Sequence, residues 1–306
     1  MEHDSYTSRL RRLLRRWNPR GVFITSSRAM AAADLLQHPR GASESELAQA
    51  RWICDAAVHP VLQQPIPSFF RVSSFMPMTA LASFGLSRAS SIASTVFWHF
   101  YYQSHAASVR YCNYADTSRP LDSDRMLRAF ASSTAAACGI GVCTIALTRC
   151  RPKLQRLGMM MPHVALACAG AVSTLMNNEP DLRHGVTVSD ARGVDCGVSN
   201  VAAREGVRRA VLLQAIIIPS CALLFPTLML QHVAAPRISP RAPQRLAASA
   251  ALLVLSGVFV LTPLVVAAVP PHVAVPVASL EQNCQARAKE IGLCGTDCLY
   301  SVRVLY

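Results

Sequence analysis

Long stretches without a charged residue occupy most of the chain after residue 88. Four of them run for about 20 residues without Lys, Arg, Asp or Glu, the length with which an α-helix crosses roughly 30 Å of hydrocarbon. A fifth stretch is also uncharged but carries His99, Gln103 and His105 among its aromatic residues. The pattern predicts about five transmembrane helices, near 89–109, 129–148, 157–176, 210–235 and 246–269.

The segments that flank these stretches complete the predicted domain organisation. Residues 72–87 are uncharged, but they are few and are interrupted by Pro77, so they indicate a re-entrant or interfacial helix. Residues 1–71 are polar enough for a short soluble helical region, and residues 272–306 form a C-terminal tail. The predicted fold class is therefore an all-α integral membrane protein with its membrane domain over 72–271.

Prolines and small residues inside the apolar stretches give two further expectations. In water an internal proline disrupts a helix, whereas within a membrane bundle it marks either irregular backbone or plain packing. The four prolines concerned are Pro162, Pro219, Pro226 and Pro263. Small residues four apart allow two helices to approach closely in lipid, and Ala135 with Gly139 and Ala137 with Gly141 have this spacing.

Composition agrees with a membrane protein and changes the meaning of the positive charge. Hydrophobic residues make up 52% of the chain and charged residues only 15%, against roughly 25% in soluble domains. The net charge of +13 would suit a nucleic-acid binder, but no nucleic-acid partner is expected of a chain with stretches of spanning length. With five spans, alternation places nearly all of the net charge on one side, together with the N-terminus, which the positive-inside rule favours.

The N-terminal arm, residues 8–17, alternates leucine with arginine at near-helical spacing. One face of such a helix is apolar and the other cationic, as in helices that lie on anionic membrane surfaces. A mitochondrial import sequence has the same Arg-rich, amphipathic character.

Signatures of soluble enzymes are absent from the sequence. There is no Walker-type phosphate loop, no His-Glu-x-x-His helix and no Gly-x-Ser-x-Gly elbow, so an enzyme is not expected. Cys294 and Cys298 form a lone thiol pair, whereas structural zinc needs four ligands. No metal and no other cofactor is predicted, and the 11 cysteines are expected to be reduced.

The segment 46–60 reads as an amphipathic helix that ends at a His-Pro dipeptide, because proline disfavours helix for the residue before it. Asp55 and His59 are four residues apart and could share one face of this helix. One interpretation is a pair that stabilises the fold. The other is a proton-responsive or substrate-contacting pair, since histidine titrates near physiological pH.

This segment resembles a motif of the sideroflexins, a family of mitochondrial inner-membrane transporters of small amino acids. The family has Glu-Leu-x-x-Ala-(Lys/Arg)-x-Ile-x-Asp-(Ser/Ala)-Ala-x-His-Pro, and this chain keeps Glu46, Leu47, Ala50, Arg51, Ile53, Asp55, Ala57, His59 and Pro60. Collinear matches follow over nearly the whole chain, at 17–20, at 76–78, at 97–98, at Gln103 and Ser104, at Tyr111 and Asn113, at 185–190, at Ser199 and at 202–203.

Several positions depart from the family pattern. Residues 61–64 are Val-Leu-Gln-Gln where the family usually has Asp-Thr-Gly-Glu. Thr79, Arg110 and Gly170 stand where the family has asparagine. Lost amides within a membrane remove specific hydrogen-bonding groups, so these departures bear on the substrate and on transport itself.

The resemblance implies transport of a small neutral amino acid, serine above all, across the mitochondrial inner membrane in support of one-carbon metabolism. The partners implied are this substrate and the lipid bilayer, with self-association or inner-membrane protein partners left open. The candidate transport residues are Asp55, His59, Pro60, Pro77, Gln103, Ser104 and Asn113. Two alternatives stay open: a non-transporting scaffold linked to a respiratory complex or iron homeostasis, and a carrier of another solute such as an anion, for which Arg110 is the nearest cation.

Overall fold

The computed structural model describes residues 5–39, 41–59, 61–114, 121–151, 158, 160–190, 192–238, 242–270, 272–293 and 297–302. The predicted class, a helical membrane protein with an N-terminal helical region, is confirmed. Within these described residues, a small β-sheet near the end of the bundle departs from the all-helical prediction.

Three helices form the N-terminal region: α1 (Tyr6–Arg16), α2 (Ser26–Gln37) and α3 (Glu44–Ala57). Each begins after a serine or threonine whose side chain accepts a backbone N–H of the first turn, which satisfies a donor that the helix itself cannot pair. Small residues of α2 and α3 pack together around the buried side chain of Ile53.

A helical hairpin, α4 (Phe75–Arg88) and α5 (Ile92–Cys112), connects this region to the bundle. Seven of the 14 residues of α4 are buried, so α4 packs inside the bundle and is not an interfacial helix lying on its surface. At about 1.5 Å per residue α4 is about 21 Å long, shorter than the hydrocarbon layer. Whether it is re-entrant stays a prediction.

The remaining helices of the bundle are α6 (Ser123–Cys150), α7 (Met161–Asn177), α9 (Asn200–Arg237) and α10 (Pro243–Ala268), with the short α8 (Glu179–His184) after α7. Among the described residues, α6, α9 and α10 are the helices long and apolar enough to cross a membrane. The polar α5 and the 17-residue α7 pack beside them, and their crossing stays a prediction.

Prolines coincide with irregular backbone in α9 and α10. Three π-helical turns interrupt α9, at Leu212–Ile217, Ser220–Leu224 and Leu230–Ala234, and one interrupts α10, at Gly257–Leu261. Pro219, Pro226 and Pro263 lie beside these turns; each lacks an N–H and clashes with the carbonyl four residues earlier, which favours local π geometry. Pro162 instead lies in the first turn of α7, where a proline removes no helical hydrogen bond.

A four-stranded antiparallel sheet, which the sequence did not predict, joins two distant segments. Its strands are β1 (Val186–Ser189), β2 (Asp195–Ser199), β3 (His272–Pro276) and β4 (Cys298–Val302), in the order β2-β1-β4-β3. Helix α11 (Gln282–Glu290) packs against β2. Because β1 pairs with β4, the loop after α8 and the C-terminal segment lie at the same end of the bundle, here called the sheet end.

The N-terminal arm also lies at the sheet end. The Tyr6 hydroxyl donates to the Leu264 carbonyl at 3.1 Å, and Arg9 Nε donates to the Ala267 carbonyl at 2.9 Å, both in the last turns of α10. Five alternating spans would instead place the N-terminal arm and the end of α10 on opposite sides of the membrane, so these contacts disfavour that count. A crossing by α4, which the sequence predicted as a re-entrant or interfacial helix at 72–87, would give six crossings and bring both chain ends to one side.

Candidate functional site

Two cavities lie between the helices of the bundle, one toward each end. The larger, of about 320 Å³, is called the loop-end cavity because it lies beside the α4–α5 turn, the end of α6 and the start of α7. Its lining is largely apolar, with a few polar side chains that include Ser87, Ser90, Thr144, Thr148, His163 and Gln231.

The sheet-end cavity is smaller, about 50 Å³, and more polar in its side chains. It lies among α5, the first half of α6, the end of α7 and the start of α9. The polar residues that line it are Gln103, Arg110, Ser133, Ser173, Thr174, Asn177 and Gln214. Arg110 Nη1 and Thr174 Oγ1 are buried there without a hydrogen-bond partner among the described residues, so both can bind a solute or water.

A thin apolar layer separates the two cavities. Leu86, Leu166 and Leu223 are buried against one another, with Trp98 and Tyr102 packed around them. Leu86 and Leu223 also line the loop-end cavity, whereas Leu166 and Tyr102 line the sheet-end cavity. This partition, made of those five residues, is thus a single layer of side chains thick.

His99 lies on α5 one turn before Gln103 and is completely buried. Neither of its ring nitrogens has a hydrogen-bond partner among the described residues. The close approach of α6 at Gly141 shapes this site, since a Cβ added there would lie 2.6 Å from Thr95 Cγ2 and 3.3 Å from His99 Nε2. A buried imidazole without a partner is costly, but His99 lines neither cavity.

Helix α9 contributes to both cavities through its irregular turns. Gln214, in the first π turn, lines the sheet-end cavity, and Gln231, in the third, lines the loop-end cavity. At Gly170 of α7 an added Cβ would lie 2.6 Å from the Gln214 carbonyl oxygen. The glycine at this position therefore allows the backbones of α7 and α9 to touch.

Two of the residues that the sequence nominated in the bundle line a cavity: Gln103, and Arg110, which was named only for an anion carrier. Ser104 is next to Gln103, and its buried hydroxyl has no partner among the described residues. Asn113 ends α5 and donates from Nδ2 to the carbonyls of Phe70 at 2.6 Å and Val109 at 2.7 Å, which is a structural role. Pro77 lies in the first turn of α4 and lines neither cavity.

The residues nominated in the His-Pro segment lie apart from both cavities. Helix α3 ends at Ala57, so His59 is not on the helical face of Asp55, and no hydrogen bond joins the two in the described part of the chain. His59 Nδ1 accepts the backbone N–H groups of Val61 at 3.2 Å and Leu62 at 3.1 Å, which holds a tight turn. Pro60 lies outside the described residues.

Sequence reasoning missed most of the cavity lining. The available signal was an amide side chain within an uncharged stretch, because polar residues inside a bundle are costly and mark pathways. Gln214 and Gln231 meet that criterion and line one cavity each. Within the described ranges, no group of three or more His, Cys, Asp or Glu side chains could hold a metal ion.

Comparison with known proteins identifies the family of the chain. The family described as Sideroflexins matches residues 2–300. The chain is 25% identical over 292 residues to Sideroflexin-5 of Rattus norvegicus, which covers 92% of this chain and 85% of that protein. It is 25% identical over 296 residues to Sideroflexin-1 of Ovis aries, with 94% and 91% covered. No solved structure matches significantly. The chain belongs to the sideroflexin family.

Proposed function

We propose that this membrane protein transports a small neutral amino acid, serine above all, across the mitochondrial inner membrane, where the serine supports one-carbon metabolism. Membership of the sideroflexin family supports a transporter-like role. The amino-acid substrate, the mitochondrial location and the absence of catalysis belong to the proposal.

One observation carries the proposal: two cavities face opposite ends of the bundle and are separated by one layer of side chains. A solute that crosses by alternating access needs a pathway that is open toward one end while it is closed toward the other. Displacement of the partition would join the cavities. The π-helical turns of α9, which lie along both, supply backbone that can rearrange at modest cost.

The polar lining of the sheet-end cavity suits a small polar solute. A hydroxyl, amine or carboxylate loses its water when it enters the bundle, and this loss must be offset by hydrogen bonds. Gln103 and Thr174 can supply them from α5 and α7. One water molecule needs roughly 10–15 Å³ of cavity volume. The sheet-end cavity of about 50 Å³ therefore accommodates a few heavy atoms.

Uptake of labelled serine into liposomes that contain the purified protein tests the proposal. We expect uptake by the parent protein, and a loss of about tenfold in Gln103→Met, because a group that hydrogen-bonds the solute is replaced by an apolar one of similar size. Gln49→Met, at an exposed position of α3, is the matched control and is expected to transport normally.

Absence of uptake by correctly folded parent protein would contradict the serine assignment and leave the scaffold or another solute. Equal uptake by the parent and Gln103→Met would instead exclude the sheet-end cavity as part of the pathway.

A further inference from the structure

We infer that Arg110 binds the carboxylate of the transported solute in the sheet-end cavity, and that the cavity selects for this carboxylate more strongly than for an amino group. The inference rests on the transport function proposed above. It adds the chemical class of the ligand and the residue that recognises it.

The Arg110 guanidinium lacks a complete set of acceptors. It lines the cavity, and its Nη1 is buried without a hydrogen-bond partner among the described residues. Arg110 lies in the last turn of α5, where the helix dipole favours a cation. The dipole alone, however, leaves the buried Nη1 donor without an acceptor, which is costly in a bundle interior.

The surroundings of Arg110 supply no negative charge among the described residues. Arg110 is the one charged residue in the lining of the sheet-end cavity, which among the described residues contains no Asp or Glu. Asp122, at the start of α6, is exposed and accepts the Arg125 backbone N–H. A planar guanidinium without an acidic partner binds a carboxylate in two-pronged geometry, so an anionic group that enters the cavity completes the ion pair.

The amino group of the solute finds weaker partners than its carboxylate. No lining carboxylate is present among the described residues to pair with an ammonium group, so an amino group must rely on neutral acceptors. Thr174 Oγ1 can accept from an amino group. The side-chain oxygen of Asn177 can also accept, while its Nδ2 donates to the Ser173 carbonyl at 2.7 Å. Loss of the carboxylate should therefore weaken binding far more than loss of the amino group.

Competition on the parent protein tests this selectivity without any substitution. Uptake of labelled serine is measured with unlabelled 3-hydroxypropanoate, which lacks the amino group, or serinol, which has an alcohol in place of the carboxylate. We expect the half-inhibitory concentration of 3-hydroxypropanoate to lie within about tenfold of that of unlabelled serine. For serinol we expect a concentration roughly 100-fold higher than for serine, because a charge-assisted pair is lost. Equal competition by serinol and serine would overturn the inference.

Substitution then assigns the effect to Arg110. Arg110→Gln is expected to weaken carboxylate binding by about 10- to 100-fold, and Arg110→Lys to retain part of it. Arg128→Gln removes the same charge from an exposed position of α6 and should leave binding unchanged. Unchanged binding in Arg110→Gln, with parental thermal stability, would contradict the assignment.

Asp116 is the nearest acid along the chain and lies outside the described residues. Asp116→Asn is expected to leave carboxylate affinity unchanged. A gain of tenfold or more would mean that this acid already neutralises Arg110, and would overturn the inference.

Thermal stabilisation of the detergent-solubilised protein separates failure of this inference from failure of the serine assignment. If serine is not transported, stabilisation by 3-hydroxypropanoate or lactate that is lost in Arg110→Gln still supports a carboxylate site, for another solute. If no small carboxylate stabilises the parent protein, the carboxylate site is wrong whatever the protein transports.

Discussion

Arg71 lies where the N-terminal region meets helix α4 and binds carbonyls within that region. Its side chain is only 1% exposed and has no acidic partner within the described residues. It is satisfied by backbone carbonyls, since Nε donates to Ile66 at 2.8 Å and Nη1 to Gly21 at 2.8 Å and Ile24 at 2.7 Å. Burial lowers the pKa of this guanidinium, but arginine keeps its charge because its ordinary pKa is so high.

We predict that Arg71→Lys lowers the free energy of unfolding by about 1–3 kcal/mol, because a single ammonium nitrogen cannot reach all three carbonyls and leaves buried acceptors unpaired. Thermal unfolding in detergent measures this. Arg28→Lys, at an exposed position of α2, is the control and should change stability by less than about 0.5 kcal/mol.

Substitution of His59 distinguishes a structural role of this residue from a role in transport. Because its Nδ1 accepts two backbone N–H groups, we predict that His59→Ala destabilises the protein by about 1–3 kcal/mol and leaves the KM for the solute unchanged. Gln103→Met should behave in the opposite way, with KM raised and stability kept. A raised KM in His59→Ala at normal stability would restore the substrate-contacting interpretation of the His-Pro segment.

At the scale of elements, the approach of α5 and α6 depends on one of the two small-residue pairs in the sequence. Ala137 is buried, and a Cβ at Gly141 would lie 2.6 Å from Thr95 Cγ2. Ala135 and Gly139 are exposed instead, and a Cβ at Gly139 meets nothing within 4 Å. The spacing is equal in the two pairs, so only the position of α5 decides which of them packs.

We predict that Gly141→Ala costs about 1–3 kcal/mol through overpacking and slows transport, because α5 must shift at the level of His99. Gly139→Ala adds the same methyl group two residues away. It should be neutral or slightly stabilising, since alanine has the better helix propensity. Thermal unfolding and uptake of the two variants compare them directly; equal effects would contradict the close contact at Gly141.

At the scale of the whole molecule, the structure places the N-terminal arm and the C-terminal strands together at the sheet end. The end of α6, the start of α7 and the last turns of α9 lie toward the opposite end, because α6 and α9 each run away from the sheet end. Most of the cations accompany the N-terminus in this arrangement, but so do the acids, because the segments 149–160 and 236–245 contain no Asp or Glu. The asymmetry of net charge predicted from five spans is therefore much weaker.

Labelling of single cysteines with an impermeant maleimide tests this arrangement. In a cysteine-free background, cysteines introduced at the exposed Ser5 and Ala278 should react from one side of the membrane, and the native, exposed Cys150 from the other. Labelling of Ser5→Cys and Cys150 from the same side would show that the N-terminal arm lies at the opposite end from the sheet.

Sequence alone determined the class of this protein, the approximate position of each long helix and the family. These properties depend on local composition: an uncharged stretch of spanning length has few alternatives in lipid, and collinear motifs need no coordinates. Gln103 could be nominated in the same way, as a polar residue that interrupts an apolar stretch.

Only the tertiary structure decided where the cavities lie and which polar groups meet there. Arg110, Thr174 and Gln214 belong to three different helices, and helix rotation and crossing set their proximity. The sheet likewise pairs strands more than 100 residues apart in sequence, and its short strands carry little periodic signal. The end of α3 moved His59 off the face of Asp55, because a helix boundary shifted by two residues reorients every side chain beyond it.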